Sequence, residues 1–449
     1  MTQNRPDSRR LWLAAALFSA AYYACAWSGR VLSAPEHAYV SFWLPAGLYV
    51  GVLLLYPMRS WPRFVLAAVA ANILFDVPLG TPWLTILGFC TANTLQAVTG
   101  AWLMQRFVAD KPQLATLREF FGLVSGSVVL SAMLGSAIAA GTLVAAGMSQ
   151  PFFAIWKTLW GSNAMAILLV TPLMMVWFAK SGPRKPLSSS PAKLAEAVLL
   201  TMALTGFTWY MLVVDRGINA PYKSRLMPLL LWAGLRFGLR GATAANLLLA
   251  VMMSFCTTHY LKGLTPVEIA SGTYVGMLQS FLVISVLITL VPAIVIEERN
   301  RKVLALSESE EKFSKAFQSN PSGIAITDQA TGRYIEVNDS FCRLYGYTQQ
   351  EVVGRTSLEL GVWKDVEDRE RLLQPLRDGG SVQDLELNNY ARNGQPRILL
   401  VNAERIELGG KPCIVSLIKD ITERKQADRA LRESEKLIRE QYLELESFY

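Results

Sequence analysis

From Leu11 to Ile296 the chain repeats one pattern: a run of roughly 20 mostly apolar residues, a short polar break, then another run. A chain of this kind must satisfy its backbone hydrogen bonds internally, so the pattern predicts a polytopic α-helical membrane bundle. The candidate spans are 11–29, 40–57, 62–78, 83–106, 119–146, 152–178, 194–214, 222–238, 241–260 and 272–296. Segment 222–238 is the weakest, because its apolar centre from Leu226 to Leu235 is short and holds Pro228. It either crosses or re-enters, which gives about eight to ten spans. Arg5, Arg9 and Arg10 precede the first run as they would in a signal peptide. That run is long, leads into further spans and has no small-residue cleavage site, so it reads as a retained helix.

Charge fixes the orientation. Residues 1–296 carry 20 Lys+Arg against 8 Asp+Glu, whereas 297–449 carry 23 against 27. The basic excess therefore belongs to membrane loops and gives no reason to expect nucleic-acid binding. With the N-terminus inside, 17 basic residues flank the inner ends of the spans, among them Arg59, Arg63, Arg106, Arg118, Lys185, Arg236 and Arg240. Six lie outside: Arg30, Lys157, Arg216, Lys223, Arg225 and Lys262. This asymmetry predicts cytoplasmic N- and C-termini.

Inside the spans the polar residues are mostly amides: Asn72, Asn93, Gln96, Asn163 and Asn246. Amides offer donors and acceptors, so one reading is a ligand cavity between helices. The other is interhelical bonding that holds the bundle, each contact contributing about 0.6–2 kcal/mol. Lys157, between Trp156 and Trp160, is expected to snorkel to the outer interface. Asp76, followed by Pro78 and Gly80, reads as the start of a loop. No chain of acids crosses the bilayer, which argues against a proton-coupled carrier.

After Ile296 the character changes. Glu297 to Lys302 continue the last span without Pro or Gly, and Val303, Leu306, Phe313 and Phe317 keep helical spacing. Ser307-Glu308-Ser309-Glu310 fits a capping box, so a second helix is expected to begin there. Strands follow at 323–328 and 334–338, then a helix from Asp365 to Asp378, then strands near 382–391, 396–407 and 412–420. Asn393-Gly394 and Gly409-Gly410 suit tight hairpin turns. The sum is an α+β domain built on one antiparallel sheet. From Ala427 the positions Leu431, Ser434, Ile438, Gln441, Leu445 and Phe448 alternate by four and three, the a/d seam of a C-terminal coiled coil.

Cys25, Cys90, Cys256, Cys342 and Cys413 form no CxxC pair, and His37 and His259 are the two histidines. No metal site is predicted. A P-loop, a Ser-His-Asp set, kinase glycine boxes, a phosphoacceptor His after the coiled coil and GGDEF or EAL runs do not occur within these 449 residues.

Phe42-Trp43-Leu44-Pro45-Ala46-Gly47 resembles the W-x-P-A-G opening of the MASE1 family of bacterial membrane sensor domains. Matches continue in order at Trp61-Pro62, Asn72, Asn93 to Ala97, Gly100 to Leu103, Trp160, Ile167 to Leu173 and Pro228 to Gly238. The chain departs from the family in having Gln96 and Asn163 where members often carry acids. The resemblance marks Trp43, Pro45, Asn72, Asn93, Gln96, Trp160 and Asn163 as candidates for sensing or packing.

Asn320 to Ile324, Glu336-Val337-Asn338-Asp339-Ser340-Phe341, Leu344 to Tyr347, Glu351 to Arg355 and Asp420-Ile421-Thr422-Glu423-Arg424 resemble a PAS domain of the S-box type. The likeness implies relay roles for Asn338, Asp420 and Thr422. Haem held by an axial His is disfavoured, since that domain contains no histidine, and the flavin-adduct motif is missing around Cys342. No cofactor is expected.

The expected organisation is a sensor domain at 1–298, a helical connector at 299–312, a PAS domain at 313–425 and a coiled coil at 426–449, ending before any output domain. This resembles the input half of a bacterial sensor histidine kinase or diguanylate cyclase in the inner membrane. The implied partners are the lipid bilayer, a second copy through PAS and coiled coil, and a kinase, response regulator or cyclase output. A membrane carrier with a regulatory PAS domain is the reading from another class, and an enzyme active only in a longer parent chain is the third.

Overall fold

The computed structural model describes residues 8–31, 42–179, 191–214, 224–260, 273–363 and 366–448. His37 and the topology residues Arg5, Lys185, Arg216, Lys223 and Lys262 lie outside them, as does the side chain of His259. The chain divides into two compact units, Met1–Lys302 and Val303–Tyr449.

Among the described residues the first unit consists of helices joined by turns. Its helices are α1 (Ser8–Val31), α2 (Leu44–Leu55), α3 (Trp61–Asp76), α4 (Trp83–Leu103), α5 (Leu117–Ala145), α6 (Phe152–Phe178), α7 (Pro191–Trp209), α8 (Met227–Tyr260) and α9 (Thr273–Gln318). Seven helices among the described residues are long and apolar enough to cross a membrane. They are the stretches built on α1, α3 and α5 to α9. Helix α4 has 21 residues, enough length to span, but Asn93 and Gln96 dilute its apolarity. Helix α2 has 12 residues and is the most enclosed, buried along nearly its whole length. Such a short helix persists because neighbouring helices, and not lipid, surround it.

Helices α1 and α3 run parallel. The Arg63 guanidinium lies over Trp12, Ser19 Oγ donates to the Ala67 carbonyl at 3.0 Å, and Trp27 meets Phe75 edge-on at 5.9 Å. Helix α2 packs on α6 at very short range, because a Cβ on Gly47 would lie 2.1 Å from the Ala166 carbonyl oxygen. Thr171 Oγ1 donates to the Gly47 carbonyl at 2.9 Å beside this contact. Helices α4 and α5 meet through small residues: Ser127 Oγ donates to the Gly100 carbonyl at 3.0 Å. Helix α5 accommodates this with a π-helical stretch, Leu123–Ser131.

The weak candidate at 222–238 becomes the first half of α8. Gly238, at φ 62° and ψ −152°, breaks the helix there, a conformation essentially restricted to glycine. The half from Met227 to Phe237 is about 16 Å long at 1.5 Å per residue, too short alone for a hydrocarbon core of about 30 Å.

Two expectations need correction. No second helix starts at Ser307: α9 is continuous from Thr273 to Gln318. Without Pro or Gly after Pro292 nothing interrupts its backbone ladder, and i,i+4 pairs such as Glu311–Lys315 support it. Asp76 does not start a loop. It closes α3, buried, with its carboxylate accepting from Asn72.

The second unit holds a five-stranded antiparallel sheet of order β2-β1-β5-β4-β3. The strands are β1 (Gly323–Asp328), β2 (Tyr334–Val337), β3 (Val382–Tyr390), β4 (Pro396–Leu408) and β5 (Lys411–Asp420). Between β2 and β3 lie α10 (Asp339–Tyr345), α11 (Gln349–Val352) and α12 (Val366–Arg377), and α13 (Thr422–Phe448) follows the sheet. This is the PAS arrangement. Its core gathers Phe341, Tyr345, Leu387, Leu399, Val401 and Ile418, and the outer sheet face packs Ile326 and Cys413 against Phe317. On α13, Leu431 and Ile438 are exposed at seam positions, while the side chains of Leu445 and Phe448 lie outside the described residues.

Candidate functional site

In the membrane unit α4 collects the polar side chains. Asn93 Nδ2 donates to Asn72 Oδ1 at 3.2 Å and to the Tyr22 hydroxyl at 3.3 Å. Tyr22 in turn donates to Asn72 Oδ1 at 3.0 Å. Asn72 Nδ2 donates to Asp76 Oδ2 at 3.2 Å and to Cys90 Sγ at 3.6 Å. One turn along α4, Gln96 Oε1 accepts from Asn163 Nδ2 at 3.0 Å, and the same amide donates to Ser136 Oγ at 3.2 Å. Gly135 makes room, since a Cβ there would meet Gln96 Oε1 at 2.4 Å.

Four of the sequence candidates thus form two adjacent nodes. The first ties α1, α3 and α4, the second α4, α5 and α6. Asn72 spends both N–H groups and accepts twice within the protein, so it serves as an interhelical connector. Trp43 caps α2, sits edge-on to Phe75 at 5.9 Å and donates its backbone N–H to the Ser162 carbonyl at 3.3 Å. Pro45 is buried in the first turn of α2, where a missing N–H is no loss. Trp160 stacks on Trp156 at 5.6 Å and its indole N–H takes no part in the hydrogen bonds of either node. Asn246 stands apart, paired with Thr289 and Ser285 of α9. Sequence reasoning missed Tyr22, Asp76, Cys90 and Ser136. The i,i+4 spacing of Asn72 and Asp76 was the available signal for one of them.

In the PAS unit Asn338 is fully buried at the N-cap of α10. Its Oδ1 accepts from Phe341 N at 2.9 Å and Ile324 N at 2.8 Å. Its Nδ2 donates to the Phe317 carbonyl at 3.0 Å and the Ser322 carbonyl at 2.9 Å. One side chain therefore joins the end of α9, strand β1 and helix α10. At the other end, Asp420 Oδ1 accepts from Thr422 N at 2.9 Å and from Thr422 Oγ1 at 2.5 Å. Asp420 Oδ2 takes Arg397 Nη1 at 2.9 Å, and Thr422 Oγ1 accepts Ile398 N at 2.9 Å. The start of α13 is thereby pinned to β4. Arg397 is the partner that sequence reasoning did not supply.

Burial raises the phenols of Tyr334 and Tyr345 far above their ordinary value, so both are neutral hydroxyls. Burial also raises the Cys342 thiol, which suits packing better than reactivity. Among the described residues no group of three or more His, Cys, Asp or Glu side chains is placed to hold a metal ion.

A polytopic helical bundle whose last helix leads into a PAS sheet, with an exit helix pinned at its start, defines a membrane signalling sensor. The chain belongs to the MASE1 family, whose profile matches residues 13–300; the PAS domain profile matches residues 321–423. It is 24% identical over 401 residues to the probable diguanylate cyclase DgcE of Escherichia coli K12, covering 86% of this chain and 34% of that protein. The sensor histidine kinase TmoS of Ectopseudomonas mendocina is 27% identical over 135 residues, covering 29% of this chain and 14% of that one. The methyl sulfide methyltransferase-associated sensor of Methanosarcina acetivorans is 30% identical over 131 residues, covering 28% and 13%. The PAS domain of an HTR-like protein from Haloarcula marismortui is 27% identical, covering 27% of this chain and 99% of that one, with a TM-score of 0.23. The chain spans about a third of the length of the E. coli relative and less of the other two curated ones.

Proposed function

We propose that the bundle detects a stimulus and passes it through α9 into the PAS unit, which relays it through α13 to a histidine-kinase-type output. The observation that carries this reading is the pair of nodes at the two ends of the PAS unit. Asn338 engages the last turn of α9, and Asp420 with Thr422 engages the first turn of α13. A displacement of the entering helix cannot leave the sheet unaffected while those bonds hold. The chain sits in a bacterial inner membrane with both termini cytoplasmic, as the basic inner ends support. It works as a homodimer through PAS and the a/d seam of α13, without haem or flavin.

A second reading, a diguanylate-cyclase output, is favoured by one observation. The match to the E. coli relative runs through both domains, whereas the matches to the sensor histidine kinase and to the Methanosarcina sensor cover under a third of the chain. Placing the chain ahead of a kinase core and, separately, ahead of a cyclase domain tests both. The relay reading requires that Asn338→Ala change the output of at least one fusion at equal abundance. Output identical to the parent in both fusions would sink it. Vectorial solute uptake by the chain in proteoliposomes would instead support a carrier.

A further inference from the structure

The helix that leaves the bundle meets the start of α5 through one carboxylate. Leu117 N, the first N–H of α5, donates to Glu298 Oε2 of α9 at 3.5 Å, although the two residues stand 181 positions apart. The other oxygen of Glu298 takes Lys302 Nζ at 2.8 Å, a pair within α9 itself. Ile294, one turn earlier on the same side of α9, is fully buried, so the carboxylate stands where α9 leaves the apolar core. The first N–H groups of a helix lack partners inside it and carry partial positive charge, which suits them to an anion.

The turn that presents Leu117 N is closely tied. Leu114 is fully buried at φ 57°, a left-handed conformation that bulky side chains seldom adopt. On either side of it Gln113 N at 3.0 Å and Ala115 N at 2.8 Å donate to Glu119 Oε2, and Glu119 N donates to Thr116 Oγ1 at 3.2 Å. Leu117 N therefore moves with the first turn of α5 as a unit. Further along the same helix, Ser136 belongs to the node of Gln96 and Asn163. Between the two lies the π-helical stretch Leu123–Ser131. Its i→i+5 bonds can pass to the i→i+4 pattern, which turns one end of α5 relative to the other.

We infer that the Glu298 carboxylate is a latch: seated on the N-terminus of α5 it holds α9 at rest, and a movement of α5 that begins at the Gln96–Asn163–Ser136 node unseats it. Glu298 is a positioning residue, since it acts on the output only through α9. The inference rests on the relay reading above and adds the contact at which the bundle hands its state to α9.

The test uses the full chain fused ahead of a cyclase domain and, separately, ahead of a kinase core, at equal membrane abundance, with Asn338→Ala as the reference. Two changes break the same bond from opposite sides. Glu298→Leu removes the acceptor. Leu117→Pro removes the donor at the first helical position, where proline is tolerated, and Thr116 at φ −136° and ψ 155° already suits the residue before a proline. Each should shift output by about fivefold or more, in the same direction, in at least one fusion, and the double variant should match the single ones. Lys302→Gln should leave output at the parent level. Amide exchange in the first turn of α5 should quicken about fivefold in Glu298→Leu, a measurement that needs no proline variant. Parental output in Glu298→Leu where Asn338→Ala alters it would overturn the latch and leave the relay standing. Unequal single variants, additive effects in the double variant, an equal shift in Lys302→Gln or unchanged exchange would overturn it as well. No response to Asn338→Ala in either fusion would remove relay and latch together.

Discussion

The Asn338 carboxamide and the Phe317 carbonyl, 21 residues apart in sequence, are joined at 3.0 Å, and the same carboxamide holds the first residues of β1 and α10. The helix that enters the PAS unit is therefore fastened to the sheet by a side chain, in addition to the apolar packing of Phe317. Asn338→Ala breaks four hydrogen bonds made by a buried side chain and leaves their backbone partners unsatisfied. The expected loss is about 2–4 kcal/mol of PAS stability, read by urea denaturation with a PAS-local probe. A loss under 0.5 kcal/mol would show that water replaces the side chain at no cost.

Gly47 and Gly141 give opposite outcomes for the same change. A methyl on Gly47 would lie 2.1 Å from the Ala166 carbonyl oxygen and 2.8 Å from Val170 Cβ, whereas nothing lies within 4 Å of one on Gly141. Gly47→Ala must push α2 off α6, and overpacking of this kind costs typically about 1–3 kcal/mol or more. Gly141→Ala is expected to be neutral or slightly stabilising. Thermal aggregation of the two variants in detergent separates them.

The Gln96–Asn163 contact is testable by a double-mutant cycle. Both residues are buried in the bundle, and the bond is neutral to neutral. Gln96→Leu and Asn163→Leu, alone and together, should give a coupling energy of about 0.6 kcal/mol, with 1.7 as the upper end for such bonds in membranes. Steric trapping or unfolding in mixed micelles supplies the measurement. Zero coupling would mean that each amide finds another partner when its mate is removed.

How much of this was legible beforehand follows from what each signal measures. The PAS strands could be placed within a residue or two because alternation and turn dipeptides such as Asn393-Gly394 are local properties. The amides of the bundle could be found as residues but not as pairs. Asn72 meets Tyr22 from 50 positions away and Asn93 from 21, and no local pattern encodes that. Ser307 misled because a capping box and a continuing helix have the same local sequence. What decides between them is whether the preceding backbone is interrupted, and here it is not. Asn389 of β3, buried with its Nδ2 donating to the Tyr345 hydroxyl at 2.9 Å, escaped notice for the reverse reason: alternation marked β3 as a strand without saying that a core-facing position held an amide.

Acid should destabilise the PAS unit. Glu351 is held below the ordinary carboxylate range, first by the Thr348 backbone N–H and then by the Thr348 hydroxyl and Arg392. Asp328 and Glu359 are depressed in the same way, chiefly by the backbone N–H groups of Thr331 and Thr356. A depressed folded-state value means that the unfolded chain binds more protons in the window between the two values. Stability is then fully present above the unfolded carboxylate value of about 4 and falls as pH drops through the folded one. The melting temperature of the PAS unit should hold from about pH 7 to 5 and decline below about 4.5. Glu351→Gln should flatten part of that decline, and a profile unchanged by it would remove Glu351 from the account.

The exit node makes the last prediction. Asp420 accepts from Thr422 at the first turn of α13 while its other oxygen holds Arg397 of β4, and Thr422 Oγ1 also accepts Ile398 N. Asp420→Ala removes the N-terminal anion and the Arg397 tie together, whereas Thr422→Ala spares the ion pair but frees the Ile398 N–H. Loss of a cap costs about 1 kcal/mol on average. Amide exchange in the first turn of α13, from Glu423 to Gln426, should therefore quicken about fivefold in either variant, with β1 unchanged. Exchange that quickened equally in β1 would mean that the whole sheet had loosened, and the node would be a structural brace, not a joint between β4 and the helix it launches.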